Sequence, residues 1–536
     1  MRARRWRRSL FIGFMVAVTA WSAWRVLRHT LEDQVSGRIT LRFSHWQLES
    51  GVREAFDQLV QDYEALHPGI RIEQLPIPGR IYRQWTSTQL VGGSAPDLVQ
   101  IGLGVGGPQL VYFRPITTEV NKPNPYNQGT ALEGLPWRNT FNDGMETSYD
   151  QETFECYGAS LFTGTIRIYC NLDLLHKITG REHLPENFAE LQTLCATVRD
   201  YARRTGEEIE PIAGSSLTAI LMFDDLLRAQ TQRLASKLNP GTGLPSPALI
   251  EDFYLPYLNG DWTVDGPTLQ AVADLWREAG QLLPPGFAQI EHDQAHFRFV
   301  QKRALLLMGF SGQATGIFDR IKFRTGVFRS PQPDHAEPRF GAGMVARSSE
   351  GSLRSYGSFG ITKASRHSEI ALDFLHFLTS EKSARKFTTI SRFLPTVVGV
   401  EPSADMLPFM PDLHGYPMGP GFNHTPDTKT VVANAQYLLF GPEGSSRKFL
   451  DRLRDKLGPA MRTDLERIIK TRLVSLRRTD TTIGATQQMR VTHPADPLLG
   501  QKLDTMLETQ NELEAALYYT RLRLAQAARL TPATNP

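Results

Sequence analysis

Several short patterns in the chain have the residue types of reactive or ligand-holding sites. Gly102, Gly104 and Gly107 follow the apolar run DLVQI and spell G-x-G-x-x-G, the arrangement in which glycines let a pyrophosphate approach the backbone at a helix start. The acidic residue that belongs about twenty positions later, after a second strand, is missing, and the run before the glycines is the third strand of its unit. A glycine loop lining a cleft is expected there instead of a nucleotide site. His292 and His296 stand four apart in EHDQAHFRFV, on one face of a helix, but they lack a third ligand and the glutamate of HExxH. A solvated helix face is expected, and no metal. Gly309-Phe310-Ser311-Gly312-Gln313 is one glycine short of a nucleophile elbow, and no acid and histidine can be assigned in the required order. Carboxylates are plentiful, yet a glycosidase pair needs a separation in space that spacing along the chain does not specify. Cys156, Cys170 and Cys195 are odd in number and carry no CxxC. They are expected as small buried residues, with a Cys156–Cys170 disulfide, the shortest loop, as the alternative in an oxidising compartment. These patterns point to binding without catalysis and without a cofactor.

The elements that would hold a ligand lie between Gly37 and Ile101. ITLRFSHW reads as a strand, and the amphipathic segment ending YEALHPGIRIEQL supplies a helix, a Pro-Gly turn and a second strand. IYRQWTSTQLVGGSAPDLVQI adds another helix and a third strand. Such a βαβαβ unit puts loops at the carboxyl ends of parallel strands, where ligands bind in a crevice. Further along, alternating Ile166, Ile168 and Cys170 suit a strand, and Asn171 is placed to cap the helix after it. Ala371, Phe374, Leu375, Phe377 and Leu378 recur at helical spacing and should bury one face.

The order of words in this chain also resembles a known family. Ser44-His45-Trp46, His67-Pro68-Gly69-Ile70-Arg71-Ile72, Tyr82 and Gly93-Ser94-Ala95-Pro96-Asp97-Leu98-Val99 are similar to the amino-terminal lobe of extracellular solute-binding protein family 1, the maltose-binding-protein-like sugar receptors of ABC importers. Tyr157-Gly158-Ala159, TGTIRIYCNLDLLHKITG and Leu184-Pro185-Glu186-Asn187-Phe188-Ala189-Glu190-Leu191 continue the likeness. So do FRFVQKRALLLMGFSGQATGIF, FRTGVFRSPQP and SYGSFGITKASRHSEIALDFLHFLTSEKSARKFTTISRFLPT. Cys170 stands where an aromatic is usual, and Asn187-Phe188 replaces Thr-Trp, which bears on local ligand contacts.

The resemblance implies an α/β, two-lobed periplasmic binding protein fold, type II-like, with discontinuous lobes. Residues 37–155 and 305–360 would form the N-lobe, and 156–304 with 361–440 the C-lobe. It implies a receptor that captures a carbohydrate in the interlobe cleft and delivers it to the transmembrane subunits of an ABC permease. Sugars offer CH faces that stack on rings and hydroxyls that need fixed partners, so aromatic and polar side chains should converge there. By resemblance the ligand-binding candidates are His45, Trp46, Tyr82, Trp85 and Asp97, then Asn171, Phe310, Ser311, Tyr356, Gly357, Ser358 and Arg392. Tyr416 and Phe422, in the loop HGYPMGPGFNHTP, are expected to pin that loop, with roofing of the cleft as the alternative. A membrane-tethered periplasmic sugar sensor and a periplasmic carbohydrate-active enzyme are the rival readings. Loss of signalling without loss of uptake would mark the first, and product formation from oligosaccharides the second.

Composition agrees with an exported binding protein. A chain of 536 residues, 41% hydrophobic and 21% charged, can build more than one domain. Its net charge of +3 and the lack of a basic, aromatic-interleaved stripe give no reason to expect nucleic acid. Arg2, Arg4, Arg5, Arg7 and Arg8 precede an apolar run from Leu10 to Trp24, with Arg25 and Arg28 beyond it, so residues 1–36 read as a signal peptide or a membrane anchor through 10–27. Val18 and Ala20 suit cleavage after Ala20. Residues 441–536 read as a helical extension, basic up to Arg478 and broken at Gly458-Pro459. After a linker with Pro494 and Pro497 comes a second helix striped by Leu503, Met506, Leu513, Leu517 and Leu524. With Gln510 and Thr520 in the seam, packing back onto a lobe is expected over a free coiled coil.

Overall fold

Strand β1 (Ile39–His45) shows why the first unit folds as it does: Leu41 and Phe43 are fully buried while Arg42 between them is exposed. It pairs in parallel with β2 (Ile70–Pro76) on one side and β3 (Leu98–Gln100) on the other. The helices Val52–Leu66 and Gly79–Val91 make the crossovers, which confirms the βαβαβ reading. The computed structural model describes residues 38–49, 51–102, 107–238, 249–351, 357–423, 425–441 and 443–530. The predicted leader, Gly104 and Tyr356 lie outside them. Among the described residues no helix is long and apolar enough to cross a membrane.

The chain then forms the hairpin β4 (Tyr149–Asp150) and β5 (Glu155–Cys156), followed by β6 (Ala159–Ser160), β7 (Phe162–Thr163) and β8 (Ile166–Asn171). Next come β9 (Glu210–Ile212), β10 (Ala304–Phe310), β11 (Thr325–Phe328), β12 (Ser358–Ile361) and β13 (Leu394–Pro395). The first sheet runs β2-β1-β3-β12-β6 and the second β11-β8-β10-β9. A two-stranded pair, β7 with β13, lies where the chain crosses between the two sheets.

The lobe boundaries drawn from the sequence need correction. Within 305–360, expected in the N-lobe, β10 and β11 belong to the second sheet, where Leu306 stands opposite Cys170 on β8. Within 361–440, expected in the C-lobe, the helices Ser368–Leu378 and Glu381–Ser391 pack into the first core: Phe374 lies 5.8 Å from Phe43 and Phe387 5.0 Å from Phe56. The reason is packing of apolar faces over long sequence separations. The ALLLM run of β10 is buried on both faces and can only be an interior strand, and β8 offers it a complementary edge.

The carboxyl-terminal region is corrected in two respects. The helix Ser446–Thr492 is continuous through Gly458-Pro459, because Leu453, Leu457, Met461 and Leu465 anchor both sides of the proline in the second core. The first half of the expected 441–536 extension is therefore part of the C-lobe core. The final helix, Pro497–Leu530, folds back antiparallel, with Gln510 donating to Asp480 (2.7 Å) and Leu503, Leu513 and Leu517 buried. That is the packing expected from the stripe.

Cys156, Cys170 and Cys195 are unpaired and buried, and burial pushes each thiol up to about 12. His45 is fully buried, and desolvation lowers its pKa to about 4, against the hydrogen bond it donates to Gln74 Oε1, which raises it. Between about 4 and 6.5 the unfolded chain then binds more protons than the folded one, so this contribution is full above pH 6.5 and is lost as pH falls toward 4. Stability should fall by on the order of 2 kcal/mol from pH 7 to pH 5 through this residue alone. Urea unfolding of His45→Asn at both pH values should show a correspondingly smaller difference than the native chain.

Candidate ligand site

β1 and β3 end side by side, and the residues just past them form a connected polar cluster. Trp46 N donates to Gln100 Oε1 at 3.2 Å. The Gln47 amide, oriented with its nitrogen toward Glu49, donates to that carboxylate at 2.9 Å and accepts from Gln100 Nε2 (3.2 Å) and Trp46 Nε1 (3.1 Å). Burial pushes the Glu49 carboxyl above its ordinary range. The Trp46 ring is half-buried and meets Tyr82 edge-on at 5.0 Å. Gly102 sits against its other side: a Cβ there would come within 2.7 Å of the indole, and φ is +125°, so glycine is required on both counts. Trp46 is thus held by a rigid strand end, a buried tyrosine and a glycine backbone. Beside this cluster an open depression of about 490 Å³ is lined by Glu49, Arg53, Glu54, Asp57, Gln58 and Gln61 among others. Such a surface can hydrogen-bond a polyhydroxylated molecule.

Four of the predicted ligand residues serve the fold instead. His45 is enclosed by Phe43 (5.8 Å) and Phe56 (4.8 Å) with Nε2 3.0 Å from Gln74 Oε1. It continues the inward face of β1. Tyr82 is fully buried and its hydroxyl donates to Gln100 O at 2.9 Å, which braces Trp46 from behind. Asp97 precedes β3, at the end away from Gln100, and accepts from Arg42 N (2.8 Å) and Ser365 Oγ (2.6 Å). Asn171 is 1% exposed and caps the helix Leu172–Thr179 by accepting from Leu174 N at 3.0 Å. Its capping role was legible in the sequence.

The other candidates are spread over both lobes. Trp85 is half-buried, 6.5 Å from Tyr82. Ser358 is half-buried and its carbonyl accepts from Ile101 N at 2.7 Å, beside the end of β3. Phe310 is half-buried at the end of β10 in the second sheet. Ser311 is buried, and its hydroxyl accepts from Thr165 N at 3.1 Å while its own N donates to Thr165 O at 2.9 Å. Gly357 lies under Phe162, where a Cβ would come within 2.7 Å of the ring. Arg392 ends the helix Glu381–Ser391 at φ 58° and approaches Asp405 at 3.5 Å. Phe422 is buried in the second core and pins its loop.

Sequence reasoning missed Gln47, Glu49 and Gln100. Their signal was present, since all three lie within a few residues of the strand ends that led to Trp46. It also missed a charged group at the start of β8. Arg167 is 1% exposed and forks onto Glu350 at 2.7 and 2.9 Å, while donating to Met410 O at 2.6 Å. Arg329 pairs with Asp412 at 2.9 Å and donates to Ser348 O at 2.6 Å. These bonds clamp the segments around 348–350 and 408–412 to the second sheet. Nearby, burial raises Asp225 to about 6. Among the described residues no group of three or more His, Cys, Asp or Glu is placed to hold a metal ion, and His292 bonds Gln313 at 3.2 Å.

Two sheets joined by a short crossing, with a polar and aromatic cluster at the strand ends, define a two-lobed binding protein. The family model for bacterial extracellular solute-binding proteins matches residues 58–408, and the chain belongs to that family. Solved structures agree on the fold. A chitin oligosaccharide binding protein superposes with a TM-score of 0.55 at 14% identity, covering 79% of this chain and 99% of that one. The maltose/maltodextrin-binding domain MalE from Bdellovibrio bacteriovorus bound to maltotriose gives 0.53 at 16%, covering 79% and 100%. The apo-form of RafE from Streptococcus pneumoniae gives 0.51 at 14%, covering 79% and 98%. No curated protein sequence matches the chain.

Proposed function

We propose that this protein is the substrate-binding component of an ABC importer and takes a carbohydrate between its lobes for delivery to a membrane permease, with no catalysis of its own. The observation that carries this reading is the Trp46–Gln47–Glu49–Gln100 cluster at the carboxyl ends of β1 and β3, an aromatic face among fixed donors and acceptors. The descriptions of the similar structures, a chitin oligosaccharide binding protein and a domain holding maltotriose, support a sugar as the ligand. Phe310, at the end of β10 in the second sheet, and Trp85 and Ser358 of the first lobe are the further candidates for contact with the sugar. The basic and apolar residues before Gly37 support export, with the leader either cleaved or kept as an inner-membrane tether.

Thermal stabilisation across a panel of mono- and oligosaccharides, polyols and oligopeptides tests the ligand class, because a ligand of the native state raises apparent stability by mass action. Oligosaccharides are expected to give the largest shifts. With the best of them, Trp46→Ala should weaken binding by about 1–3 kcal/mol in calorimetry while leaving the melt near native. Unchanged affinity would remove Trp46 from the site, and stabilisation only by peptides would overturn the carbohydrate reading.

A further inference from the structure

The helix Ser446–Thr492 is bonded to both lobes. Its first half belongs to the C-lobe core through Phe449, Leu453 and Leu465. Beyond that, Arg467 Nη1 donates to both oxygens of the Glu152 carboxylate, at 2.9 and 3.2 Å, on the turn of the β4–β5 hairpin. That hairpin is part of the N-lobe, with Cys156 in the first core and Cys156 O accepting from Ile116 N. Arg472, 1% exposed, pairs with Glu251, which begins the C-lobe helix Glu251–Asn259, and donates to Thr520 Oγ1 of the final helix at 3.2 Å. The same guanidinium donates to two N-lobe carbonyls, Glu152 O at 3.3 Å and Gln151 O at 3.4 Å, and lies 5.6 Å from the Phe154 ring centre. Arg478 adds a contact to the Tyr157 hydroxyl at 3.4 Å.

A hinge in a two-lobed protein works only if the lobes are free to turn about the crossing strands. Here a second connection runs outside those strands, and it is a continuous helix whose buried arginine is shut off from bulk solvent. Rotating the lobes would strip the guanidinium from its carbonyls or bend the helix. We propose that the carboxyl-terminal helical pair is a clasp that sets the angle between the lobes, so that opening and closing of the cleft require release of the Arg467 and Arg472 contacts to the β4–β5 hairpin. The clasp is a property of the chain itself and is independent of which solute the cleft accepts.

Spin labels at Ala65→Cys, on the exposed end of the N-lobe helix Val52–Leu66, and Ala196→Cys, on the exposed face of the C-lobe helix Phe188–Thr205, report the interlobe distance. The native cysteines are buried and stay unlabelled. Without ligand, double electron–electron resonance should give one narrow distance distribution. Arg472→Met with Glu251→Gln removes both buried charges together, and Glu152→Gln removes the second anchor. The triple variant should show a broadened distribution with a second peak. Glu152→Gln alone, at a partly exposed position that leaves the core intact, should show a smaller broadening in the same direction. A distribution that is already broad in the native chain, or one that keeps its native width in both variants, overturns the clasp.

Discussion

Arg472→Ala should destabilise the protein by about 3–5 kcal/mol, a loss comparable with the whole stability of a marginal domain. The guanidinium is 1% exposed and the Glu251 side chain 2% exposed, so deleting the arginine leaves a carboxylate buried with no counter-charge. It also takes a donor away from Thr520 Oγ1 and from the carbonyls of Gln151 and Glu152. Arg472→Met with Glu251→Gln should be far milder, because removing both charges of a buried pair avoids the uncompensated one. Urea unfolding of the two variants checks the difference. Equal losses would mean that the hydrogen bonds both variants lose, to Thr520, Gln151 O and Glu152 O, and not the uncompensated charge, carry the effect.

Ending the chain after Thr492 should also have a large effect. It removes the 34-residue helix Pro497–Leu530 and uncovers the faces against which Leu503, Leu513 and Leu517 are buried. Burial of one leucine is worth about 1.5–3 kcal/mol, offset in part by the entropy of ordering the helix. The truncation also exposes Arg472 and Glu251, since Thr520 bonds to both members of that pair. A lower melting temperature is expected together with an unchanged order of preference in the sugar panel, because Trp46, Gln47, Glu49 and Gln100 all come from the other lobe. Native melting, or an altered preference, would show that this helix is not a stabilising brace or that it reaches the site.

The local elements were legible because each is set by residues a few positions apart. Leu41 and Phe43 alternate with exposed Arg42, Asn171 stands where a helix needs an acceptor, and Leu503, Leu513 and Leu517 keep one face of the final helix apolar. The same strand period already placed His45 on the inward face with Leu41 and Phe43. Resemblance carried it into the site, and the structure returned it to the core. Trp46, one residue on and past the strand end, falls where a ligand could be met.

By itself, then, the sequence determined the βαβαβ unit, the two-lobed family and the loop from which the candidate site grows. All of these follow from periodicity, capping and the order of short motifs. Only the tertiary structure decided that β10 and β11 complete the second sheet, that Phe374 and Phe387 pack on Phe43 and Phe56, and that Arg472 joins Glu251 to the β4–β5 hairpin. Those pairings cross more than a hundred residues of chain and are selected by which buried faces and charges fit one another in space, a matter of shape and desolvation that leaves no periodic mark along the sequence.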